Sequence, residues 1–74
     1  MKTDKEIIQL TYNKIHEFYN QLDQDIRTYL FNIIDIMTNQ TDTREINYWI
    51  GFIHATLIAL TDCTLEELNK SICK

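Results

Sequence analysis

The chain has 74 residues, no proline, one glycine (Gly51) and a net charge of −4. That length holds one domain at most, residues 1–74, and the lack of turn residues counts against β architectures, which need glycine and proline as punctuation. Eleven acidic and seven basic residues are spread along the chain without a basic stripe, so no nucleic acid is expected as the main ligand.

Twelve isoleucines favour strands, because β-branched side chains suit a pleated surface. The spacing of the apolar residues decides the conflict for helices. The first helix is predicted from Asp4 to about Gln21. Thr3-Asp4-Lys5-Glu6 reads as a capping box, in which the Thr3 hydroxyl and the Glu6 carboxylate accept from free amide donors. Ile8, Tyr12, Ile15, Tyr19 and Leu22 recur at steps of three and four, widened by Ile7 and Phe18. Glu6, Gln9, Asn13, Glu17 and Asn20 form the opposite, wet side.

A second helix is predicted over Gln24–Thr38, capped by Asp23. Its main stripe is Ile26, Tyr29, Ile33, Ile36 and Met37, extended by Leu30, Ile34 and Phe31 over more than half the circumference. Phe31 lies furthest from the stripe centre, which marks it as an exposed aromatic. The junction at residues 20–23 has no helix breaker, so one bent helix is an alternative to two.

The third helix, predicted from Thr43 to about Leu60, is the most informative. Asp42 and Glu45 resemble a cap and its partner. From Ile46 to Thr61 there is no charged residue. One face carries Ile46, Trp49, Ile50, Ile53, Leu57 and Leu60. The other carries Tyr48, Phe52 and Ile58 beside Gly51, Ala55 and Ala59, three small residues four apart in line along the axis. A helix apolar all round must be covered on all sides, and a chain this short has few neighbours to offer. The third helix is therefore either the central element of the bundle or also a contact surface. Phe31, Tyr48, Trp49, Phe52, Ala55 and Ala59 are the expected interface residues, with a homodimer through the third helix or the wide face of the second as the expected assembly. The uncharged run of 16 residues falls short of the roughly 20 that span a bilayer, and no membrane partner is expected.

A short fourth helix is predicted from Leu65 to about Ile72. Thr64-Leu65-Glu66-Glu67 repeats the capping-box pattern, and Cys63 and Leu68 hold the positions of a hydrophobic staple. The predicted fold is thus all-α: a compact bundle of three main helices plus a short C-terminal fourth.

Candidate chemistry is sparse. His54 shares a strip of the third helix with Asn47. The two read either as a buried polar pair fixing helix register or as a pH-sensing site. His16 reads as a solvated surface histidine. His16, His54, Cys63 and Cys73 lack paired metal-ligand spacing, so no metal and no cofactor is expected. Cys63 and Cys73 in one helix would lie roughly 15 Å apart at a rise of about 1.5 Å per residue, too far for a disulfide. Together with the lack of a signal peptide, this leads to the expectation of a cytoplasmic protein. Asp62, Glu66 and Glu67 gather at the start of the fourth helix, either as favourable placement at a positive helix end or as an acidic patch for a basic partner. No nucleophile–base arrangement or phosphate loop is present, so an enzyme is not expected. The sequence suggests a non-catalytic protein-interaction module, an inhibitor or regulator of the phage or mobile-element kind that binds a host protein. A small helix-turn-helix DNA-binding regulator, a membrane-associated helical peptide and an enzyme subunit completed only between chains are the alternatives.

Overall fold

The computed structural model describes residues 3–68. Helix α1 spans Asp4–Glu17, α2 Gln24–Thr38, α3 Thr43–Leu60 and α4 Leu65–Leu68, with a 3₁₀ turn at Tyr19–Gln21. No strand occurs among the described residues. The described residues are all-α, with three main helices and a short fourth. The expected continuation of the fourth helix to Ile72, and Cys73, lie outside the described residues.

The helix starts follow local chemistry. The Glu6 amide donates to Thr3 Oγ1 and the Thr3 amide to Glu6 Oε1, both at 3.2 Å, which closes the capping box. Asp42 Oδ1 accepts from the Arg44 amide at 2.9 Å, and Thr64 Oγ1 from the Glu67 amide at 3.1 Å. Asp23 occupies the expected cap position of α2 but makes no side-chain capping bond.

The end of the first helix differs from the expectation. Its α segment stops at Glu17, not near Gln21, and Leu22 is extended, so α1 and α2 are separate helices. Without a glycine or proline, the stop is imposed by long-range contacts. Phe18 and Leu22 are both buried. The Tyr19 carbonyl accepts from Arg27 Nε at 2.8 Å. Gln21 Oε1 accepts from the Asp62 amide at 2.9 Å. The Tyr19 carbonyl also accepts from the Leu22 amide at 3.2 Å, so these bonds pin the turn that follows α1.

The same long-range bonds give the topology. Thr43 Oγ1 donates to Asp4 Oδ2 at 2.9 Å, joining the starts of α1 and α3, while Gln21 and Asp62 join their ends. Helices α1 and α3 therefore run side by side in one direction, and α2 returns between short connections. All three pack pairwise, and α4 rests on α3. The core is built from Ile15, Phe18, Leu22, Leu30, Ile33, Met37, Ile46, Ile50, Ile53, Leu57, Cys63 and Leu68. Thr11 is the buried polar residue among the described residues, and its hydroxyl donates to the Ile7 carbonyl at 2.8 Å.

On α2 the core sector is rotated from the predicted stripe. Leu30, Ile33 and Met37 are buried, whereas Tyr29 and Ile36 are 49% and 43% exposed. A helix with apolar residues over most of its circumference can turn any sector inward. The positions of α1 and α3 choose which one.

Candidate interaction surface

The core side of α3 consumes Ile46, Ile50, Ile53 and Leu57. Its back remains outside and carries no charge between Ile46 and Thr61. Tyr48 is 65% exposed, Ile58 40% and Phe52 37%. Ala55 and Ala59 are exposed between them. Gly51 is exposed too, and a Cβ built there would meet nothing within 4 Å. These residues make an uncharged, largely apolar stretch of surface outside the core, and large patches of that kind are candidates for interaction sites.

Tyr29 of α2 extends this surface, although the sequence had placed it in the core stripe. Its ring meets Phe52 edge-on at 5.8 Å, Phe52 meets Trp49 at 6.1 Å, and Trp49 meets Tyr48 at 5.2 Å. Edge-to-face pairs at these distances are attractive, so the four rings form a continuous chain across the α2–α3 junction. Trp49 is half-buried, packed against the core, and acts as the root of that chain.

Phe31 is not the exposed aromatic that its helical position suggested. It is half-buried at the α1–α2 junction, with its ring 5.5 Å from Tyr12 and 5.4 Å from His16. Rings from α1 flank it and leave it half-buried, and it belongs to a different ring cluster from the α3 surface. His16 is exposed as expected, but it stacks on Tyr19 at 5.8 Å and meets Tyr12 at 4.8 Å, so it is part of a ring cluster and not a free surface side chain.

Asn47 and His54 do not form a buried polar pair. Asn47 is exposed. His54 is half-buried, and its Nε2 is buried without a hydrogen-bond partner among the described residues. Desolvation holds the imidazole pKa below its ordinary value, which favours the neutral ring. The register reading therefore fails on geometry, because the two side chains differ in burial and lie two helical turns apart.

Asp62, Glu66 and Glu67 are exposed at the start of α4, with the Asp62 and Glu67 amides already engaged by Gln21 and Thr64. Cys63 is buried and free. Burial, with the Glu67 carboxylate second, pushes its thiol pKa up against a smaller opposing effect of Lys14. A protonated, buried thiol is a packing group, not a nucleophile. No cluster of three or more His, Cys, Asp or Glu side chains suited to a metal ion occurs among the described residues.

Among the described residues no helix is long and apolar enough to cross a membrane. A recess of about 240 Å³ between the start of α1 and the end of α2 is floored by Ile8, Met37 and Ile46, below the roughly 300–1,000 Å³ of small-molecule sites. Comparison of the chain with protein-family models, with curated proteins and with solved structures finds no match.

Proposed function

We propose that this chain is a non-catalytic protein-interaction module that self-associates through the back of α3 and acts by assembly or by covering a partner's surface. The exposed, uncharged face formed by Tyr48, Phe52 and Ile58 around Gly51, Ala55 and Ala59 carries the reading. Small residues in line let a second backbone approach closely, and the flanking rings supply the apolar area that interfaces bury at their centre. A second copy suits this face better than a charged partner. Each chain carries −4, yet the face itself brings no like charges together. The small size and acidic balance suit an inhibitor or regulator that docks on a host protein, as mobile elements encode.

Light scattering of the wild type and of Ala55→Arg tests the proposal. Ala55 is exposed, so the arginine should leave the folded single chain intact and convert dimers to monomers. A dimer of unchanged mass and stability after that substitution removes α3 as the contact. A wild type that stays monomeric at millimolar concentration removes self-association altogether.

A further inference from the structure

We propose that the groove between α1 and α2 receives the guanidinium of an arginine presented by a partner protein. Its wall is the ring cluster of Tyr12, His16, Tyr19 and Phe31, and its rim is Asn32 and Asp35, enclosing about 510 Å³. The rings touch in sequence: Tyr12 to His16 at 4.8 Å, His16 to Phe31 at 5.4 Å and Tyr12 to Phe31 at 5.5 Å. They present one continuous aromatic surface instead of four isolated side chains, and Tyr12 and Tyr19 remain exposed. Among the described residues, the side-chain polar atoms of Tyr12, Tyr19, Asn32 and Asp35 make no hydrogen bond or ion pair. An apolar wall with a few convergent, unengaged polar groups is the usual build of a recognition site.

Charge selects the guest. Aromatic faces attract cations, the carboxylate of Asp35 is the formal negative charge on the rim, and no lysine or arginine lines the groove itself, Arg27 lying against the Tyr19 ring. The chain as a whole carries −4. A nucleobase would also stack on such rings, but its phosphate would face Asp35 and that net charge. Geometry then selects a guanidinium over an ammonium. A planar, weakly hydrated fork stacks on a ring while donating two N–H groups to one carboxylate, which a compact ammonium does not do. The molecule already stacks one guanidinium on a ring of this cluster, with a single hydrogen bond to a backbone carbonyl and, among the described residues, none to a carboxylate. The Arg27 guanidinium lies 3.9 Å from the Tyr19 ring centroid while its Nε donates to the Tyr19 carbonyl at 2.8 Å. With Arg27 on one side of Tyr19 and His16 stacked at 5.8 Å, Tyr12 and Phe31 are the rings left for the guest. The groove shares no residue with the α3 face, so it stands or falls separately from self-association.

The test is a two-dimensional amide NMR titration of the full chain with an acetylated glycine-arginine-glycine amide. The comparators are its lysine and citrulline counterparts and uridine monophosphate. Arginine should give saturable shifts centred on Tyr12, His16 and Phe31, at millimolar affinity. Citrulline, neutral but of the same shape, should bind at least about threefold more weakly, the scale of one exposed cation–π contact or ion pair. Asp35→Asn and Tyr12→Ala alter exposed side chains, and each should weaken arginine binding by a similar factor, with Asp35→Asn also erasing the preference over citrulline. Overlay of the two variants' unbound spectra with the wild type distinguishes a lost contact from a lost fold. Shifts that never saturate, shifts centred elsewhere, equal binding of citrulline or lysine, or stronger perturbation by uridine monophosphate would each overturn the assignment.

Discussion

Gly51→Ala separates the stability of the single chain from that of its assembly. Gly51 lies inside α3, has no left-handed φ, and its added Cβ would meet nothing within 4 Å. The alanine therefore meets neither strain nor a clash. Alanine is better than glycine in a helix interior by about 0.8–1.0 kcal/mol, mainly because the unfolded glycine has more freedom to lose. Unfolding entropy near the midpoint is about 2.1 cal/mol/K per residue, or roughly 155 cal/mol/K for 74 residues. A gain of about 1 kcal/mol should thus raise the midpoint by about 6 °C in calorimetry at concentrations where the chain is monomeric. In the proposed dimer the same methyl lies where a second backbone would approach, so sedimentation equilibrium should show weaker association. A lower midpoint in dilute solution would refute the exposed, unstrained placement of Gly51. A raised midpoint with unchanged association would show that the row of small residues is not the crossing point.

The rotated core of α2 makes a paired prediction. Ile33→Ala should cost about 2–5 kcal/mol, the loss of a buried isoleucine side chain, whereas Ile36→Ala should cost about 1 kcal/mol or less, since Ile36 is 43% exposed. Urea denaturation of both variants decides this, and equal losses would contradict the observed orientation of α2. The His54 pKa is lowered by desolvation, so the unfolded state binds more protons than the folded state between the folded value and about 6.5. Stability should be full above about pH 6.5 and fall as pH drops through that value. The difference between wild type and His54→Leu isolates this slope from the carboxylates, and a flat difference between about pH 7.5 and 5.5 would remove the desolvated histidine.

Much of the fold was legible because its signals are local. The bounds of α2 and α3 agree with the helical period, and the caps at Thr3, Asp42 and Thr64 are short-range hydrogen bonds between residues two or three apart. The exposed surface was legible only in part. Apolar excess on α3 marked Tyr48, Phe52, Ala55 and Ala59 as candidates, and all four lie outside. Tyr29 was missed and Phe31 misplaced, since both depend on which sector α2 turns toward α1 and α3. The ring cluster was legible only in part: Tyr12, His16 and Tyr19 share a helical spacing of four and three, but nothing along the chain shows that Phe31 of α2 packs against them.

The sequence by itself determined the helices, their polar and apolar residues and the shortage of charge on α3, since these follow from neighbours along the chain. Tertiary structure alone decided where α1 stops, which sector of α2 is buried, and that His54 is desolvated while Asn47 is wet. Each of those depends on contacts between residues far apart in sequence, as in the Gln21–Asp62 and Asp4–Thr43 bonds. A broad apolar sector permits several orientations, and only packing against the other helices selects one.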